Sequence, residues 1–147
     1  MQSSAHSLLV VEDDVTVARA LARSLSRRGF SVSIVGSCKS ALALTQSFDV
    51  AILDLDLPDG NGVDLARQLL SSGTTPSVVF YTGSIHRALL TRARRVGPVL
   101  MKADGLAPVI ACLAHDGADA PESRTAPSQK LARSPSPSAS VRKSRAR

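Results

Sequence analysis

Apolar positions along the chain follow two alternating rhythms. Leu8-Leu9-Val10-Val11, Val50-Ala51-Ile52-Leu53, Ser77 to Tyr81 and Pro98 to Met101 are short and mostly continuous apolar runs, as expected of strands covered on both faces. Val32 and Ile34 instead alternate with Ser31 and Ser33, marking a strand with one drier face. Between these runs the apolar residues return at helical spacing: Val17, Ala18, Leu21 and Leu25; Ala41 and Leu42 with Thr45; Val63, Ala66, Leu69 and Leu70; Ile85, Leu89, Ala93 and Val96; Leu106, Val109, Ile110 and Leu113. Gly29 and Gly73 are placed to stop two of the helices, and Asp104 to cap the last, with Pro108 in its tolerated first turn. Strands and helices thus alternate five times, which predicts an α/β fold around a parallel sheet.

The residues that end the strands are the candidates for chemistry, because open α/β sheets bind ligands at the carboxyl ends of their strands. Asp54 closes the third strand, and Leu57-Pro58-Asp59-Gly60-Asn61-Gly62 then supplies a fixed φ and two glycines for a tight loop. Glu12, Asp13 and Asp14 close the first. Carboxylates crowded at the end of a buried strand repel one another unless a cation or solvent compensates, so they form a second candidate cluster. Acids also favour the start of an ordinary helix, and that alternative stands beside the first. Thr82 ends the fourth strand and Lys102 the fifth.

Composition adds limits. A chain of 147 residues with 44% hydrophobic and 3% aromatic content has room for one domain with an aliphatic core. Cys38 and Cys112 lie in apolar periodic segments without CxxC spacing, and are expected to be buried thiols in a reducing compartment. No apolar run approaches the roughly 20 residues that cross a bilayer, so the expectation is a soluble, cytoplasmic protein that makes no membrane contact. His86, Arg87, Arg92, Arg94 and Arg95 surround the fourth helix with positive charge, read as a solvated face. Past His115 prolines and serines replace the large apolar residues, and seven basic side chains from Arg124 to Arg147 outweigh Asp116, Asp119 and Glu122, leaving +4 of the chain's +6 there. Such a segment lacks the apolar surface to fold, so residues 7–115 are expected to form the domain and 116–147 a disordered basic tail.

Taken together, Glu12, Asp13, Asp54, Thr82 and Lys102, with the LDLDLPDGNG loop, resemble the response-regulator receiver domain of two-component systems, over about residues 7–115. The resemblance implies a flavodoxin-like, doubly wound five-stranded parallel sheet of order 2-1-3-4-5 with helices on both faces. It implies a phosphoacceptor rather than a true enzyme: Asp54 takes a phosphoryl group from a sensor histidine kinase or phosphotransfer protein. The implied metal is Mg²⁺, held by Glu12, Asp13, Asp54 and the backbone carbonyl of Asp56, with Asp14 outside that set, and Thr82 and Lys102 meet the phosphoryl oxygens. Signalling would then pass to a downstream protein by contact, or the protein would act as a phosphate sink. Val99 stands where the family usually carries an aromatic switch residue, and Ala103 where it usually has proline. With Val99 unable to rotate as an aromatic does, the loop from Thr82 to Ser84 is expected to carry the readout. Two other readings compete. Asp54-Leu55-Asp56 also resembles the DxD start of haloacid-dehalogenase-type phosphatases, and the basic tail could give weak accessory nucleic-acid binding.

Overall fold

In the computed structural model, which describes residues 5–118, the elements follow the predicted alternation. They are β1 (Ser7–Val11), α1 (Val15–Ser26), β2 (Ser31–Val35), α2 (Cys38–Leu42), β3 (Val50–Leu53), β4 (Asp56–Leu57), β5 (Gly60–Asn61), α3 (Gly62–Ser71), β6 (Val78–Thr82), α4 (Arg87–Arg94), β7 (Val99–Met101) and α5 (Ala107–Ala118). Five strands form a parallel sheet in the order β2-β1-β3-β6-β7, while β4 and β5 make a small antiparallel pair of their own. Without that pair, the order is the 2-1-3-4-5 of a flavodoxin-like fold. Val109 ends one unit of the chain and Ile110 begins a second. Every strand and every candidate site residue belongs to the first, and of the second only residues 110–118 of α5 are described. The expected tail lies almost wholly outside the described residues.

Why the central strands read as unbroken apolar runs is clear from their burial. Leu9 and Val11, Ala51 and Leu53, and Val78 and Phe80 share one core cluster with Ala41 of α2, Val63, Ala66 and Leu69 of α3 and Ala93 of α4. Their neighbours Leu8, Val10, Ile52 and Val79, which alternate to the opposite face, are just as buried. Each Val, Leu, Ile or Phe side chain so buried contributes about 1.5–3 kcal/mol, and the alanines less. β2 at the sheet edge does not show the one drier face expected from its alternation: Val32, Ser33 and Val35 are half-buried, while Ile34 is 43% exposed because no further strand covers that edge.

Several boundaries differ from the periodicity. α4 starts at Arg87 rather than Ile85, which is 87% exposed; Leu89, Ala93 and Val96 keep the inward stripe. α2 stops at Leu42, so Thr45 lies outside it, and the chain turns away to bring Phe48 into the core. Asp104 does not cap α5. It sits in a 3-10 turn, Lys102–Asp104, and Gly105 at φ 77° separates that turn from the helix. Cys38 and Cys112 are thiols of intermediate burial rather than core residues.

Gly62 is needed for close approach rather than for a positive φ. Its N–H donates to the Leu55 carbonyl at 2.9 Å, and a β-carbon there would run into the Asp54 carbonyl oxygen, with the Leu55 α-carbon 3.1 Å away. Backbone at the strand end cannot yield without moving Asp54. Gly62→Ala is therefore expected to lower unfolding free energy by about 2 kcal/mol, as overpacking does, measured by urea titration.

Candidate functional site

Parallel pairing brings the ends of four strands to one edge. Val11 is in register with Leu53, Leu53 with Phe80, and Thr82 with Met101, so the residues that finish these strands converge. Glu12 and Asp54 are both buried, at 4% and 6% exposure. Lys102 reaches between them: its Nζ lies 2.7 Å from Glu12 Oε1 and donates to Asp54 Oδ2 at 2.8 Å. The other Asp54 oxygen, Oδ1, accepts from the Thr82 hydroxyl at 2.7 Å and from the Asp56 N–H at 3.3 Å. Both oxygens of one buried carboxylate are thus held by donors from three different segments.

One ammonium is shared between two buried carboxylates, and the electrostatics follow from that shortage. Loss of solvent raises the Glu12 pKa above its ordinary 4.5; the hydrogen bonds from Lys102 and the Asp14 amide oppose the rise, and the nearby Asp54 charge adds to it. Burial by itself would lower Lys102, but hydrogen bonds to Asp54 and Glu12 outweigh it, so its pKa stands above 10.5. Two carboxylates and one ammonium leave the cluster net negative, which favours a cation. Glu12, Asp13 and Asp54 each offer an oxygen, all within 4.8 Å of one another, with Asp13 exposed. Hard oxygen donors of this kind, partly open to water, suit Mg²⁺, which keeps several waters when bound.

The three acids after β1 divide their work. Asp14 is the N-cap of α1, accepting from the Thr16 and Val17 amides at 2.9 and 3.2 Å, so the helix-start alternative holds for this residue. Glu12 and Asp13 belong to the Asp54 cluster.

Three contacts were not foreseen from the chain. Ser84, buried, accepts from the His86 N–H at the start of α4, donates to the Asp56 carboxylate at 3.4 Å, and its own N–H donates to the Thr82 hydroxyl. Asp59 reaches across the loop to cap α2, taking the Cys38 and Lys39 amides at 2.8 and 2.9 Å; these bonds hold its pKa below the usual 3.8. Asp64, fixed by Asn61, pairs with Arg92 of α4 at 2.7 Å. Only the turn-forming character of the segment around Asp59 was legible, since partners about twenty residues away leave no local pattern.

The model of the response regulator receiver domain matches residues 8–101, a span that runs from the second residue of β1 to the end of β7 and stops one residue before Lys102. The chain belongs to the response-regulator receiver family. Among curated proteins it is similar to response regulator ArlR of Staphylococcus epidermidis, 36% identical over 75 residues, covering 50% of this chain and 34% of that one. Similarity extends to the acid tolerance regulatory protein ActR of Rhizobium meliloti, 33% identical over 93 residues, covering 62% of this chain and 48% of ActR. The chain thus spans between a third and a half of the length of these relatives. Among solved structures, the non-phosphorylated HemR receiver domain from Leptospira biflexa aligns with TM-score 0.67 and 27% identity, over 75% of this chain and 92% of that one. Response regulator TrrA from Thermotoga maritima, in complex with Mg²⁺–BeF, aligns with the same TM-score over 75% of this chain and 97% of its own; at 17% identity the likeness is one of fold. Receiver domains are signalling modules, and the dehalogenase-type alternative falls with this membership. Among the described residues no helix is long and apolar enough to cross a membrane.

The raised Glu12 pKa has a defined consequence for stability. The folded state keeps the Glu12 proton to higher pH than the unfolded chain, so this contribution is complete below about pH 4.5 and is lost as pH rises through the folded-state value. In chelator-containing buffer, the stability difference between wild type and Glu12→Gln is expected to shift against wild type across that window. Urea midpoints of both proteins measured at several pH values check it.

Proposed function

We propose that this receiver accepts a phosphoryl group on Asp54, from the phosphohistidine of a sensor kinase or phosphotransfer protein, and signals from the cytoplasm by contact with a downstream protein or drains phosphate as a sink. The proposed unit is residues 7–115. The observation that carries this reading is the convergence of Lys102, Thr82 and the Asp56 amide on the two oxygens of buried Asp54.

A carboxylate oxygen of Asp54 attacks phosphorus, the bond from phosphorus to the donor nitrogen breaks, and its electron pair leaves with the donor imidazole. Glu12, Asp13, Asp54 and the Asp56 carbonyl would hold Mg²⁺, which when bound neutralises the charge gathered on carboxylates and phosphoryl oxygens. Lys102 already stands with its ammonium against Asp54 Oδ2, where it can pass to a phosphoryl oxygen as a point charge. Thr82 holds the other oxygen with its hydroxyl, and the same donor is free to follow the negative charge once that oxygen is esterified.

Acetyl phosphate with Mg²⁺ is expected to label the protein, and Asp54→Asn or excess EDTA to abolish the labelling. An amide is a poor nucleophile and removes one negative ligand. Full labelling of Asp54→Asn, followed by phosphate-affinity electrophoresis, would assign the acceptor elsewhere.

The readout follows from the same hydrogen bonds. Movement of the Thr82 hydroxyl withdraws the acceptor of the Ser84 N–H, and the Ser84 hydroxyl in turn receives the first amide of the α4 start, that of His86. Exposed Gly83 gives the segment freedom, so loop and helix start form the two-state element. On adding beryllofluoride, changes in amide exchange are expected to concentrate at residues 82–95. Changes centred on Val99 with a quiet loop would contradict this route.

A further inference from the structure

Charge is distributed unevenly along the chain, in a way that the Asp54 site does not use. Between residues 65 and 103 there is no Asp or Glu, while Arg67, Arg87, Arg92, Arg94, Arg95 and Lys102 supply six cations. Lys102 is committed to Glu12 and Asp54, and Arg92 to Asp64. Arg67, Arg87, Arg94 and Arg95 are exposed and, among the described residues, make no ion pair.

Two of these four line one cleft. It is a shallow depression, wide open to solvent, of about 510 Å³ between the last turns of α3 and the end of α4, lined by Arg67, Leu70, Ser71, Arg95 and Val96. Leu70 and Val96 are half-buried and pack against the core cluster, which makes the floor aliphatic. A solvated arginine needs no explanation alone. Two arginines that make no ion pair among the described residues, Arg67 feeling only the more distant charge of Asp64, flank an aliphatic floor and make a recognition surface with two requirements.

We propose that this cleft docks an acidic segment of a partner protein, in which an aliphatic side chain is flanked by carboxylates. Guanidinium groups bind carboxylates through paired, planar hydrogen bonds, and the aliphatic side chain would cover the floor. The chain's own tail fits poorly, because its seven basic residues outnumber three acidic ones. Nucleic acid is disfavoured too. Bases gain much of their hold by stacking on aromatic rings, and no aromatic side chain lines the cleft. This inference is independent of the chemistry assigned to Asp54.

The test is an NMR titration of the full-length, isotope-labelled chain with the peptide Glu-Asp-Glu-Leu-Leu-Glu-Asp-Glu, blocked at both ends. Amide shifts are expected at residues 67–71 and 94–96, and affinity should fall at least about tenfold in R67E/R95E. R19E/R23E, the same charge change on exposed positions of α1, should leave it unchanged. R67Q/R95Q serves the same purpose if the double Glu variant melts early. Shifts confined to the tail, or binding indifferent to both cleft variants, would overturn the proposal. It would be overturned equally if the peptide with both leucines replaced by serine, an oligothymidylate, or phosphatidylglycerol vesicles bound the cleft as tightly.

Discussion

A single ammonium held between two buried carboxylates is the contact on which the site depends. Lys102 touches Glu12 and Asp54 at 2.7 and 2.8 Å, and these three residues come from the ends of three strands. Burying two carboxylates is costly, and one cation offsets only part of that cost. The part left over, chiefly the loss of solvent around Glu12 with a smaller contribution from the Asp54 charge, appears as the raised Glu12 pKa. The same uncompensated negative charge favours a divalent cation at this strand edge, and in the proposed reaction it also keeps the Lys102 ammonium beside Asp54.

The structure around this contact fixes where each group can be. Sheet register sets the relative heights of Glu12, Asp54 and Thr82, and the packed backbone at Gly62 prevents the strand end from drifting. Asp59 ties the following loop to α2, while Asn61 and Asp64 tie the start of α3 to Arg92 of α4. The segment from Thr82 to His86 is held more lightly. Its hydrogen bonds run from the Thr82 hydroxyl through Ser84 to the α4 start, at 3.0 and 3.3 Å, so a change at Asp54 has a short path to a helix.

Positive charge between residues 65 and 103 serves more than one purpose. Lys102 completes the buried cluster and Arg92 braces two helices, whereas Arg67 and Arg95 are left beside aliphatic surface. From the sequence these residues form one basic stretch. Only their positions relative to acids elsewhere in the chain separate the cations held in ion pairs from those that, among the described residues, make none.

The sequence by itself determined the alternation of elements, the parallel sheet and the five residues at its edge. These signals are local: an apolar run, a helical period or a carboxylate beside a turn records its surroundings within a few residues. The β4–β5 pair, the burial of Ser84, the capping of α2 by Asp59 and the late start of α4 after exposed Ile85 were decided by the tertiary structure. Each depends on a group brought close by folding from elsewhere, or on a short element whose period is too brief to register. Even the division of labour among Glu12, Asp13 and Asp14 belongs to this second kind. Three adjacent acids look alike in sequence, and it is the direction in which the chain leaves β1 that turns Asp14 to the α1 amides while Glu12 joins Lys102 and Asp54.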